Sequence, residues 1–535
     1  MRLSLAVTVA MAAAAVAGAV VPARAQHTGH LGTVTFANSC GASVQPALAR
    51  GVALLHSFEF GAAIDAFGDV AAADPSCGIA VWGIALSQWG NPFSPAPRAA
   101  PQLSTGRDTV QRAKATGART PRERAYIDAV SSLYDRFDTL DQHTRMVAYR
   151  DAMARLVDAY PDDTEAKAFY GAALAAAADP TDKSYADQLK AGAMLEVLWA
   201  KQPDHPGLAH YIIHAYDVPA LAPKAVEAAR RYATIAPDAP HALHMPSHTF
   251  TRLGYWQDSI DTNILSAASA KRGGNVNEAL HASDYEIYAY LQTGQDAKAR
   301  AILEDAPRIA ASQNRTAGAA PPAAADYALA AIPARYALER GVWAEAAQLE
   351  VRPTGTAYAE ALTWFARGLG GARAGGTAEA KDASRELQLR IDALNKSGDK
   401  YWAEQVAIQG LAVSAWLALA DGRSDAALQT MSEAADREDA TEKSAISPGP
   451  IAPGRELLAE MLMQLKRPSD ALLEFRKTMA KEPNRFRALA GAAEAAEQSG
   501  DASSAGEYRR HLAEICRNGD TPGRPALQKA RSSSR

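Results

Sequence analysis

Residues 203–214, PDHPGLAHYIIH, and residues 237–248, PDAPHALHMPSH, are two copies of one pattern. Pro203, Asp204, Pro206, His210 and His214 recur as Pro237, Asp238, Pro240, His244 and His248, each displaced by 34 residues (237 − 203 = 34; 248 − 214 = 34). In each copy one proline stops a helix and the aspartate caps the next. The second proline sits in the first turn, where its missing N–H costs nothing. Histidines at i and i+4 then stand one above the other on one helix face. A lag of this length is the period of a two-helix unit that stacks into a solenoid. Two neighbouring helices therefore carry equivalent histidine pairs.

The rest of the chain agrees with a helical array. Hydrophobic residues make up 48% of the 535 residues but aromatic ones only 7%, and alanine is abundant. Alanine is the best helix former and lets helices approach closely. Alternating β-branched runs are missing, so the expected class is all-α. A formal net charge of −4 gives no basic surface, and the expected partners exclude nucleic acid and anionic membranes.

The first 25 residues read as an export signal. Arg2 is followed by an apolar run from Leu3 to Val21, and Ala23-Arg24-Ala25 supplies a small-x-small cleavage site. The expected mature chain starts at Gln26, is periplasmic or secreted, and carries no further membrane span. Export permits disulfides, and Cys40 and Cys77 each precede the first helix of successive repeats. Either they pair or they remain two half-buried thiols; Cys516 is left over.

The chain resembles the tetratricopeptide repeat family. With Val44 as position 1, Gly51 falls at 8, Leu54 at 11, Ala63 at 20, Phe67 at 24 and Pro75 at 32. With Pro240 as position 1, Phe250 falls at 11 and Gly254 at 15, and Gly294 and Gly341 take position 15 in later units. The match runs from residue 44 to 515. It implies a right-handed superhelical solenoid of antiparallel helix pairs. Residues 26–43 form an N-terminal segment, and 516–535 a disordered basic tail. Loops are expected near 91–107, 311–325, 373–377 and 444–454. Pro246 and Pro333 share position 7 of their repeats and should kink their helices. The segments VALLHSFEFGAAIDAF, HYIIHAYDVP and HALHMPSHTFTRLGYW are also similar to exported bacterial tetratricopeptide proteins of unestablished activity.

In that family, positions 2, 5, 9, 12 and 13 of the first helix line a concave groove where partners bind. The resemblance assigns His241 and His281 to position 2, His210, His244 and Asp284 to position 5, His214, His248 and Tyr288 to position 9, and Asp217 to position 12. His205 precedes its helix as a cap-region residue, and His56 is expected to be packed or at the groove edge. His27 and His30 lie before the first repeat.

Two functions follow from these residues. One is a scaffold holding a peptide or protein segment over a histidine-rich floor, since imidazole recognises carboxylates and amides. The other is a site for zinc, copper, nickel or iron on His210, His214, His244, His248 and His281, with Asp284 as a further ligand. Catalysis is the weaker expectation: no HExxH, G-x-S-x-G or phosphate-binding glycine loop is present. Asp284 and Glu286 are the nearest acid–base candidates.

Overall fold

Several repeats close a glycine against one large side chain. Phe67, in helix Phe60–Ala73, lies between Gly51 of helix Gln45–His56 and Gly83 of helix Gly78–Trp89. A Cβ at either glycine would meet the Phe67 ring at 2.8 or 2.5 Å. Leu195 against Gly171, Tyr216 against Gly192 and Phe475 against Gly491 repeat the device along the chain. Such contacts let helix backbones come close, so the array grows by one neighbour at a time.

The structure, a computed structural model, describes residues 29–312 and 322–533. Among them there is no strand, and helices pack chiefly on those adjacent in sequence. The fold is an all-α, tetratricopeptide-like solenoid of helix pairs. The expected signal peptide and His27 lie outside the described residues, as does most of the loop expected at 311–325.

Pro246 breaks its helix outright, whereas Pro333 does not. Helix Pro240–His244 ends and helix Pro246–Leu253 begins in its place. The Leu243 carbonyl left over at the break accepts from the Thr262 hydroxyl at 2.6 Å. Pro333 sits inside the continuous helix Pro322–Glu339. The break re-aims His244 and His248, which flank it.

Three expectations need correction. The tail is ordered: residues 517–533 turn back and form helix Pro525–Ser533, burying Leu527 and Ala530 on the Cys516 side. Arg524 pairs with Asp296 at 2.6 Å and donates to the Leu291 and Glu339 carbonyls, so the basic residues of the tail serve to dock it. The loop expected over 91–107 is shorter, because helix Ala100–Thr116 begins inside it. Finally, helix Lys400–Ala420 is long and apolar enough to cross a membrane, against the sequence expectation. Trp402, Val406, Val413 and Trp416 of that helix are buried between its neighbours.

The N-terminal segment runs across the starts of two repeats. The His30 N–H donates to the Asp238 carboxylate and the Thr33 N–H to the Asp204 carbonyl. Cys40 and Cys77 form a disulfide with their Cα atoms 5.0 Å apart.

The last third of the chain closes the concave face. The Trp256 indole N–H donates to the Asn484 carbonyl, and the Asn484 side-chain amide donates to the Gly254 carbonyl. Arg485, wholly buried, donates to Tyr288, Glu339 and Glu456. The stretch between helix Ser424–Ala440 and helix Gly454–Gln464 crosses the face as an extended strap.

Candidate metal centre

The six histidines lie not on an open floor but in the interior. His210, His244 and His248 are at most 1% exposed, and His214, His241 and His281 are also buried. The strap covers them. Tyr285 donates to the Ala445 and Ser447 carbonyls, and Arg335 donates to the Gly449 and Pro450 carbonyls and to Ser447 Oγ. The histidines are therefore buried and not displayed on an open groove floor.

Their ligating atoms gather into two triads, each spanning no more than 4.8 Å: His210, His214 and His241, then His244, His248 and His281. His241 belongs to the first triad although the sequence reading left it out of the metal set. The triads are contiguous. Ring centroids of His214 and His248 are 5.9 Å apart and those of His241 and His244 6.0 Å, against 4.8 Å for His210 and His214 within a triad.

Outer partners fix the direction of the rings. His210 Nδ1 lies 2.6 Å from the His56 carbonyl oxygen, which only accepts, so this nitrogen carries the proton. His244 Nδ1 is 2.8 Å from Asn263 Oδ1, whose amide nitrogen is committed to the Ser259 carbonyl. His248 Nδ1 is 2.9 Å from Asp217 Oδ2, and His241 Nδ1 faces Glu278 Oε1 at 3.3 Å. The rings of His210, His244 and His248 therefore turn an unprotonated Nε2 inward. His210, His214 and His241 Nε2 are buried without a hydrogen-bond partner, and His244 and His248 Nε2 face each other at 3.2 Å.

Burial also disfavours charge on five of the rings. Desolvation, with His214 and His241 nearby, lowers His210 well below its usual value, and the same cause lowers His214 and His244. Burial lowers His248 to about 4 against the pull of Asp217, and His281 to about 3 against that of Glu278. Asp217 is the reverse case. Burial alone would raise it, but Lys443 and Arg252 outweigh burial and keep it ionised. Lys443 lies 3.3 Å from that carboxylate and Arg252 2.9 Å.

A third group, His56, Glu165 and His205, is bonded within itself. Glu165 accepts from His56 Nε2 at 2.7 Å and His205 Nε2 at 3.0 Å. Burial would raise this carboxyl, but the two imidazoles outweigh it and hold it at about 2. His205 caps helix Pro206–Ala215 through Nδ1, as its place in the sequence suggested. The anchored His56 then offers its carbonyl to His210.

Other expected site residues stand apart from the triads. Asp284 pairs with Arg335 at 2.8 Å, and the Tyr288 hydroxyl accepts from Arg485 at 2.7 Å. Glu286 is buried elsewhere on helix Val276–Gln292, where desolvation raises it to about 7. Sequence reasoning missed Phe58, Phe93, Asn263 and Glu278. Phe93 stacks on His214 at 4.0 Å, and Phe58 meets His210 edge-on at 4.4 Å. Phe93 came from a Pro-rich stretch read only as a loop, and no periodicity marked it.

No family model matches the chain and no curated protein matches it. Solved structures do. A human IFIT1 dimer with PPP-AAAA is 12% identical, covers 89% of this chain and 95% of its own, and has a TM-score of 0.39. A monomeric IFIT1 mutant with Gppp-AAAA is 11% identical over 82% of this chain and 90% of its own, with a TM-score of 0.33. These ligands are nucleotides, so the expectation that excludes nucleic acid as a partner does not stand. At this identity and TM-score the likeness transfers no ligand and no site residue to the present chain.

Proposed function

We propose that this protein is an exported helical-repeat scaffold that encloses a transition-metal centre on His210, His214, His241, His244, His248 and His281. The observation that carries the reading is the 3.2 Å approach of His244 Nε2 to His248 Nε2. Both Nδ1 atoms face acceptors, so both Nε2 atoms present lone pairs to one another. Two facing lone pairs repel unless a cation lies between them, and burial disfavours a proton there. Two imidazoles on one metal ion stand about 3.3 Å apart, given bonds of roughly 2 Å. Hydrogen-bonded Nδ1 atoms are also what orients ligating histidines in metalloproteins generally. All-imidazole donors suit copper, zinc, nickel or iron.

Export is supported by the leader-like composition of residues 1–25 and by the Cys40–Cys77 disulfide, which persists in oxidising compartments.

The test is elemental analysis of the untagged full chain beside a His244→Gln/His248→Gln variant. A near-stoichiometric transition metal that falls in the variant supports the reading. Absence of metal from both, after zinc and copper have each been offered, overturns it.

A further inference from the structure

We propose that a cavity lined by the strap, with no histidine in its walls, binds a small aliphatic primary amine in its ammonium form. The inference stands apart from the metal reading, because no proposed ligand contributes to this cavity.

The strap that covers the histidines also walls this cavity, through Ser444, Ser447, Gly449 and Ile451. Helices Lys400–Ala420 and Ser424–Ala440 supply much of the remainder. The volume is about 60 Å³. At roughly 10–15 Å³ for each water, that admits a molecule of a few non-hydrogen atoms.

The charge of the ligand follows from which groups are already matched. Three cations line the cavity: Arg252, Lys443 and Lys481. Arg252 and Lys443 meet Asp217 at 2.9 and 3.3 Å. Lys481 meets Asp439 at 3.7 Å and donates to the Glu438 and Thr441 carbonyls. Two carboxylates line the cavity as well, Glu438 and Glu482. Among the described residues neither has a Lys or Arg nitrogen within 4.0 Å. Glu438 accepts the Gly454 N–H at 2.8 Å. Lys481 acts on Glu438, and Lys443 and Arg252 act on Glu482, only from beyond that distance. Burial raises Glu438 to about 7 against the pull of Lys481. The charges left to be matched are negative, and a bound anion would meet both carboxylates.

The rings of the cavity favour an organic cation. Trp402 lies 5.0 Å from Tyr401 and 5.7 Å from Tyr327 between ring centroids, and all three line the wall. The two hydroxyls are committed to the strap, Tyr327 to Ser447 Oγ at 2.9 Å and Tyr401 to the Glu442 carbonyl at 3.0 Å. What these tyrosines offer the cavity is ring surface, which attracts an ammonium group. A bare metal ion needs several ligands at once, and the side chains close enough to share one lie elsewhere.

The acceptors favour a primary amine. Gln409 Oε1 is buried in the wall without a hydrogen-bond partner. With Glu438 and Glu482 it makes three acceptors, the number of donors on a primary ammonium group. Ile408, Met431 and Leu457 give the carbon chain an apolar surface.

The experiment titrates propylammonium, tetramethylammonium and butyrate separately into the full untagged chain, followed by saturation-transfer difference NMR. Propylammonium should give a saturable signal in the millimolar range or below. Tetramethylammonium, which has the charge without N–H donors, should bind more weakly, and butyrate should give none. Glu438→Gln, which keeps an acceptor for the Gly454 N–H, and Glu482→Gln should each weaken propylammonium by about tenfold or more, the effect of losing a charge-assisted hydrogen bond. Folding of each variant is checked by circular dichroism. His244→Gln/His248→Gln should bind propylammonium as the wild type does, so failure of the metal reading leaves this result unchanged. No saturable propylammonium signal, butyrate binding as tightly, or a dissociation constant unchanged in both glutamate variants overturns the proposal.

Discussion

The Asp217 carboxylate ties the histidine-rich interior to the strap that covers it. One oxygen accepts from His248 Nδ1 at 2.9 Å, and the carboxylate also meets Arg252 at 2.9 Å and Lys443, at the start of the strap, at 3.3 Å. The same group therefore orients a ligand and anchors the cover.

Asp217→Asn should weaken the second triad by about 10- to 100-fold in metal affinity, the usual effect of losing an outer partner of a ligating histidine. The first triad, whose His210 is held by the His56 carbonyl, should keep its affinity. Competition titration with a chromophoric chelator resolves the two sites. Equal weakening of both would mean that Asp217 acts on the fold and not on His248.

Metal should also stabilise the chain. A ligand present at 1,000 times its dissociation constant adds about 4 kcal/mol to a protein that binds it only when folded. Holo and chelator-stripped protein are expected to differ by several degrees in thermal midpoint, and the difference should shrink in His244→Gln/His248→Gln. A chelator without effect on the wild-type midpoint would contradict a structural contribution from the centre.

Much of this was legible in the sequence, for local reasons. The 34-residue lag, the prolines and the capping aspartates are signals between near neighbours, and they specify the repeat. The histidine set was legible too, since i and i+4 spacing fixes a shared helix face. Burial was not. It depends on the strap at 441–453 crossing from more than 150 residues away, which no periodicity encodes. His241 and His281 join their triads because Pro246 breaks its helix and because neighbouring helices stack, so their role needed coordinates. The tail was misread for a similar reason. Its composition is that of a disordered segment, but Arg524 finds Asp296 and Leu527 finds a pocket near Gly294.

Glu286 should make stability fall as pH rises. Burial lifts its carboxyl to about 7 from the usual 4.5. Below pH 4.5 it is protonated in both folded and unfolded chains and costs nothing. Between 4.5 and 7 only the unfolded chain ionises, so the folded state loses relative stability; above 7 the loss is complete. At about 1.4 kcal/mol per pH unit, the upper bound is about 3 kcal/mol. Glu286→Gln should be more stable than wild type at pH 8 relative to pH 4, by denaturant titration at both. A difference independent of pH would show that Glu286 is not held protonated.

The disulfide closes a loop of 37 residues at the start of the array. Loop-closure entropy alone assigns such a bridge about 4 kcal/mol. Cys40→Ser/Cys77→Ser should lower stability by roughly that amount in oxidising buffer, and wild type with reductant should behave like the variant. The first repeats would loosen before the rest, because an array of this kind is held together neighbour by neighbour. Hydrogen exchange localises the change, and equal loss of protection across the whole chain would contradict it.

Tyr285 offers a separate test of the strap as a cover. Its hydroxyl donates to the Ala445 and Ser447 carbonyls, and its ring packs edge-on to His244 at 4.7 Å. Tyr285→Phe keeps the ring and removes the tether. The two carbonyls share one hydroxyl proton and lose it, at a cost of about 1 kcal/mol. All six imidazoles are kept, and only the long 3.5 Å contact of the hydroxyl with His248 Nε2 is lost, so equilibrium affinity for metal should change little, whereas exchange between bound metal and external chelator should quicken several-fold. Stopped-flow release measured for wild type and variant separates the two quantities. A loss of affinity with an unchanged release rate would make Tyr285 part of the ligand set and not of its cover.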